Sequence, residues 1–195
     1  MRTCSPSRRE SRRALIGASV NERSWWSALV TAALLPALAG AEVKQASPDG
    51  VIFEHRFELS AAPAEAWAVL VHPERYWPND HTWSGSAANM SLVPVAGGCF
   101  CEQWDGGSAE HGRVVMAIPG KLLRFRGSLG PFQEMAVTGI MTVTLTPTEN
   151  GTTAVVNYRI SGDASHKLDA FASVVDGVIR QQFAGFAALA SQPRE

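Results

Sequence analysis

Between Met135 and Ile160 apolar and polar residues alternate over a longer stretch than anywhere else in the chain, broken by a turn signal at Asn150-Gly151. Met135, Val137, Gly139, Met141, Val143 and Leu145 fall on one side of the first arm, opposite Thr138, Thr142, Thr144 and Thr146, and Thr152–Ile160 forms the returning arm. Strand side chains point to opposite faces with period two, so this pattern predicts a long antiparallel hairpin with one buried face. Directly after it the period changes. Leu168, Phe171, Val175, Val178, Gln182, Phe186 and Leu189 recur at three- and four-residue steps, which marks one face of a helix of about six turns. A wide hairpin followed by a long amphipathic helix leaves two apolar surfaces to hide, and the stable solution packs one against the other.

The upstream segments add to the same sheet. Val51, Phe53, His55, Phe57 and Leu59 alternate with Glu54, Arg56 and Glu58, which predicts a half-buried strand. Ser60 and Pro63 then introduce a helix of two to three turns carrying Trp67, Leu70 and Val71, ended by His72-Pro73, with a further brief turn over Pro73–Trp77. Residues 79–89 read as loop. Met90–Val95, Cys99–Trp104, His111–Ile118 and Leu122–Arg126 read as short strands joined by turns at Gly97-Gly98, 105–107 and Pro119-Gly120. The outcome is an α+β domain with a mostly antiparallel sheet. Neither an internal repeat nor a second domain is visible.

The N-terminal part has another character. Of 17 Lys and Arg and 18 Asp and Glu in the 195 residues, residues 1–41 hold six arginines and two glutamates, which leaves 11 basic and 16 acidic residues for the body. Arg8, Arg9, Arg12, Arg13 and Arg23 precede the uncharged run Trp25–Ala41, which ends in small residues suited to cleavage after Ala39 or Ala41. Basic start, apolar middle and small-residue exit read as a signal peptide, so the expected location is periplasmic or secreted. The run is 17 residues long, contains Pro36 and lacks a basic flank on its far side, which disfavours a retained membrane span. Ser11-Arg12-Arg13-Ala14-Leu15-Ile16 is similar to the twin-arginine export motif, although Asn21-Glu22-Arg23 interrupts the approach to the apolar run. Residues 42–50, polar with Pro48 and Gly50, read as a flexible lead-in to a domain spanning 51–192. Cys4 leaves with the leader. Cys99 and Cys101 read as two small buried thiols, with a strained bridge or a metal-binding pair as alternatives.

The motifs P-A-E-A-W-A-V-L and P-E-R-Y-W near the start, G-G-C-F-C-E-Q-W in the middle and P-G-K-L-L-R-F-R-G later resemble the SRPBCC superfamily, also called START-like or Bet v 1-like. Within it the chain looks most like bacterial polyketide cyclase/dehydrase or activator-of-Hsp90-ATPase-like members. The resemblance covers about residues 51–190. It implies a helix-grip fold, in which a curved antiparallel sheet wraps the long C-terminal helix and leaves an apolar cavity between them.

Independently of that resemblance, large apolar side chains crowd the inward-reading faces. Phe53, Phe57, Phe100 and Trp104 come from the first half of the sheet, and Phe125, Met135, Met141 and Phe171 from the second half and the helix, with Val175 on the helical stripe. Gly139, Gly177 and Gly185 weaken the elements that hold them, as a bend or a close approach around a ligand would require. Three side chains are candidates for acid–base chemistry. His55 is either a hydrogen-bonded structural imidazole or a ligand-orienting group. His81, in D-H-T-W-S-G beside Trp83, lies on a loop expected at the pocket entrance. Glu102 either shares a face with Phe100 and Trp104, where its pKa would rise, or points to solvent after a one-residue slip. Tyr158 and Arg124 are further pocket candidates. A metal site from Cys99, Cys101, Glu102, His81 and His111 is disfavoured, because C-x-C on a strand lacks the turn that would bring two thiolates onto one ion; no metal or cofactor is expected.

Basic residues of the body are scattered, which argues against nucleic-acid binding. G-x-S-x-G, H-E-x-x-H, P-loop and G-x-G-x-x-G motifs are absent from the sequence. The leading expectation is an exported protein that binds a small hydrophobic or amphipathic molecule. An enzyme of cyclase, dehydratase or hydrolase type using the same cavity is the alternative. A co-chaperone acting on an Hsp90 ATPase follows from the resemblance alone, and export argues against it.

Overall fold

The alternating segments form the strands Ala41–Ser47 (β1), Gly50–Leu59 (β2), Met90–Leu92 (β3), Cys99–Trp104 (β4), Gly107–Ile118 (β5), Leu122–Arg126 (β6), Val137–Thr148 (β7) and Gly151–Gly162 (β8). Two α-helices accompany them, Pro63–Leu70 (α1) and Ala172–Ala190 (α2). The structure is a computed structural model that describes residues 41–192. The basic leader with its Ala39 exit, the Arg12-Arg13 pair and Cys4 lie outside the described residues.

All eight strands join one antiparallel sheet in the order β1-β2-β8-β7-β6-β5-β4-β3. The β7–β8 hairpin is the centre of the fold. It pairs Val137 with Gly162 through to Thr148 with Gly151 around a two-residue loop. Gly151 takes φ +145°, and a Cβ there would lie 2.0 Å from the Leu59 carbonyl oxygen, so the turn signal marks a position that only glycine can fill. On β2 the sequence register holds: Val51, Phe53, His55 and Leu59 are buried and Phe57 is half-buried.

One segment differs from expectation. Residues 42–50 are a strand and its turn, not a lead-in: β1 pairs with β2 from Ala41↔His55 to Ser47↔Gly50, with a bulge between Val43 and Gln45. Its polar composition hides the strand: among the described side chains Val43 packs against the core, while Lys44, Gln45 and Ala46 face solvent. The open edge of β2 supplies the hydrogen-bond partners that composition could not reveal. The β1–β2 turn is anchored in return, since Gly162 N donates to Asp49 O and Leu168 N to Pro48 O, both at 3.0 Å.

Helix α2 lies against β1, β2 and α1, burying Ile179, Phe183, Phe186 and Ala190. The expected helix-grip arrangement is present. Its closure at the helix C-terminus is polar: Ser60 Oγ donates to Ser191 O at 3.0 Å. Among the described residues no helix is long and apolar enough to cross a membrane.

Of the three glycines that predict a bend or close approach, Gly139 and Gly185 make room for neighbouring protein groups, and Gly177 faces open space. A Cβ on Gly139 would lie 2.2 Å from Gly127 O and 2.7 Å from Tyr158 Oη, so this glycine lets β6 and β7 cross the tyrosine. A Cβ on Gly185 would meet Tyr76 O at 2.4 Å, whereas at Gly177 it meets nothing within 4 Å. Gly177→Ala is therefore expected to stabilise the domain by about 0.5–1 kcal/mol through helix propensity. Gly185→Ala is expected to destabilise it, because α2 must then move away from Tyr76. Urea unfolding of the two variants checks the opposite signs.

Candidate functional site

A cavity of about 270 Å³ opens where three segments meet. The loop after α1 contributes Trp77, Asp80, His81, Thr82 and Trp83; the segment after β6 contributes Leu129, Gly130, Pro131 and Phe132. The first half of α2 and the turn before it supply Phe171, Val174, Val175, Val178, Ile179 and Gln182, and the sheet supplies His111 and Tyr158. Trp83, Phe171 and Val174 stay exposed at the rim, at 49%, 36% and 70%.

Of the residues expected to touch a ligand, His81, Trp83, Tyr158, Phe171 and Val175 line this cavity. Several others do not. Phe53 and Met141 are core residues, Phe53 stacking on Tyr158 with centroids 6.3 Å apart. Phe100 and Phe125 pack edge-to-face at 5.4 Å beneath the cavity wall, and Phe57 and Met135 pack half-buried against the core. Trp104 turns onto Gly107, where an added Cβ would lie 2.5 Å from its ring. Arg124 belongs to the other side of the sheet, where its Nε donates to Thr142 Oγ1 at 2.9 Å.

His55 is not at the cavity. It is 1% exposed beneath α2, with Nε2 3.1 Å from Asp176 Oδ1, a contact distance without the alignment of a hydrogen bond. Burial pushes its pKa below the ordinary imidazole value; Asp176 opposes this and Arg180 reinforces it. His55 is therefore a neutral imidazole between sheet and helix.

Glu102 departs furthest from expectation. It shares its face of β4 with Phe100 and is fully buried, so the solvent-facing register is excluded. Its carboxylate is not isolated among aromatics. Trp83 N donates to Oε2 at 3.0 Å, Ser84 N to Oε1 at 2.5 Å, and His111 Nε2 lies 3.1 Å from Oε2. Burial alone would raise the pKa, but the hydrogen bonds from Ser84, Trp83 and His111 outweigh it and hold the group below the ordinary carboxylate value. Sequence showed the aromatic neighbours of Glu102 on its own strand. It could not show the backbone donors 18 and 19 positions away.

His111, which the sequence offers only as a disfavoured metal ligand, lines the cavity. It is 4% exposed on β5, with its ring 5.1 Å from that of Phe100. Burial depresses its pKa more than Glu102 raises it, so the imidazole is neutral at pH 7. Gln182, a member of the helical stripe, lines the cavity at 5% exposure, and its Oε1 is unpartnered among the described residues.

The entrance loop is held rigidly. Trp77 Nε1 donates to His81 O at 3.1 Å, Ala87 N to Asn79 Oδ1 at 2.8 Å, and Thr82 Oγ1 to Asn79 O at 2.6 Å. Tyr158 steadies the opposite wall: its hydroxyl donates to Gly127 O and accepts from Leu129 N, both at 3.2 Å, and burial pushes its pKa up to about 12. On the opposite face of β4 from Glu102, Cys99 and Cys101 are joined as a disulfide with Cα atoms 5.4 Å apart, and not kept as free thiols.

No protein-family model matches the chain, and no curated protein matches it. Solved structures do. A Rhizobium leguminosarum protein is similar at TM-score 0.53 and 17% identity, over 79% of this chain and 98% of that one. A Rhodobacter sphaeroides protein gives TM-score 0.52 and 16% identity over 77% and 97%. The di-domain ARO/CYC StfQ from the steffimycin biosynthetic pathway gives TM-score 0.50 and 16% identity over 73% of this chain and 51% of that chain. The chain has a helix-grip α+β fold. At these identities the likeness is one of fold, and the chemistry of the site has to be argued from the side chains of this helix-grip domain.

Proposed function

We propose that this domain is an exported SRPBCC-type protein that binds a small hydrophobic or amphipathic molecule between α2 and the sheet. The observation that carries the reading is the open cavity itself, walled by Trp77, Phe132 and the valines of α2. The basic leader with its apolar run supports export, and the Cys99–Cys101 disulfide suits an oxidising compartment.

Binding is tested with N-phenylnaphthylamine, a neutral dye that fluoresces on entering an apolar site. Saturable one-to-one binding is expected for the wild type. Val178→Trp, which fills the cavity from α2, is expected to weaken it at least about tenfold with the thermal midpoint retained. Unchanged dye binding in that variant would move the site elsewhere.

The Glu102–His111 pair favours a second reading, catalysis in the same cavity. A carboxylate-oriented imidazole is the usual form of a general base, and the ARO/CYC neighbour shares the fold. Turnover lost in His111→Gln, with dye binding retained, distinguishes it from binding alone.

A further inference from the structure

We infer that the cavity selects a neutral guest carrying a hydrogen-bond donor, a phenol or alcohol on an apolar ring, with His111 Nδ1 as the principal acceptor, and that it rejects carboxylates. This rests on the ligand-binding reading above and specifies the class of guest.

Glu102 fixes the tautomer of His111. An ionised carboxylate can only accept hydrogen bonds, so a neutral His111 facing it at 3.1 Å must carry its proton on Nε2. Nδ1 is then left as a bare lone pair on a residue that lines the cavity, and among the described residues no hydrogen bond to it is made. Two more polar atoms of the lining lack a partner: Gln182 Oε1 and His81 Nδ1 are both buried and unpaired. Buried polar groups in folded proteins nearly always find partners, so these two buried atoms, beside the lone pair that His111 turns to the same space, point to a polar group supplied from outside.

Charge narrows the class further. The lining contains neither Lys nor Arg; its one formally charged residue is Asp80, and Glu102 stands directly behind His111. An anionic guest would lose its hydration, meet the Asp80 carboxylate with the negative charge of Glu102 behind His111, and find no Lys or Arg in the lining. A neutral hydroxyl can donate to His111 while its ring lies against Trp77 and Phe132. Glu102 thus acts as a positioning residue that sets the tautomer of the acceptor.

The test compares three probes of one ring system by calorimetry on the purified full chain at neutral pH: β-naphthol, its methyl ether and β-naphthoate. Naphthol is expected to bind at least about tenfold more tightly than the ether, which cannot donate, and than the anion. His111→Phe is expected to bring naphthol down to the level of the ether while leaving the ether unchanged. Gln182→Met, on the helix side, provides a smaller loss in the same direction should the first variant fold poorly. Equal binding of all three probes, or tightest binding of the carboxylate, overturns the inference and leaves the cavity as a binding site. Absence of binding by all three probes while N-phenylnaphthylamine still binds overturns the inference alone, and loss of dye binding as well removes the reading beneath it.

Discussion

Replacing Glu102 with leucine is expected to destabilise the domain by about 3–5 kcal/mol, more than any exposed acid could. The carboxylate is fully buried and receives Trp83 N, Ser84 N and His111 Nε2, so leucine leaves three donors without an acceptor in a space water cannot readily enter. Glu102→Gln is expected to cost less, because its carbonyl oxygen can serve part of the set while its amide group opposes one backbone N–H. The exposed Glu110 makes a useful contrast. It pairs with Arg113 at 2.5 Å across the surface, where solvent screens the attraction, and Glu110→Gln should cost below about 1 kcal/mol. Urea unfolding of the three variants measures the order. A Glu102→Leu loss no larger than that of Glu110→Gln would show that the buried carboxylate does not hold the entrance loop.

Acid should weaken the protein in two stages, both with the same sign. His55 and His111 have folded pKa values depressed below the ordinary 6.5 by burial, with their carboxylate neighbours opposing. Their stabilising contribution is complete above the unfolded value and is lost as pH falls below it, because the unfolded chain takes up protons that the folded chain refuses. Each such proton steepens the loss by about 1.4 kcal/mol per pH unit. Glu102 adds the second stage. Its folded pKa lies below 4.5, so below that value the unfolded carboxyl protonates first and the hydrogen-bonded carboxylate is lost in turn. The urea midpoint is expected to be flat above about pH 7.5, to fall from about pH 6.5 and to fall again below about pH 4.5. His55→Phe should reduce the first fall and Glu102→Gln the second. A midpoint independent of pH across the imidazole range would contradict the burial of two neutral histidines.

The relation between sequence and site follows from how far each signal reaches along the chain. The sequence places Phe53 and Met141 on inward faces, because alternation reports which face of a strand is buried. It does not report whether that face meets a cavity or another side chain, and both proved to be core. His81 and Trp83 were legible as entrance residues because loops at the end of a scaffold form its openings. His111 was not. On a strand whose burial pattern is irregular, one histidine looks like any other until Glu102 and Phe100 are brought beside it.

What the amino-acid order determined alone was the succession of elements: the β2 strand, the short helix, the β7–β8 hairpin and the long terminal helix, all arising from periodic burial within one segment. Only the tertiary structure decided that β1 is a strand, that Cys99 and Cys101 are joined, that Glu102 is an ionised hydrogen-bond acceptor and that His111 faces a cavity. The physical reason is range. Hydrophobic periodicity is a property of neighbours in sequence, whereas a strand edge, a buried charge and an opening between helix and sheet exist only when distant segments supply one another's partners.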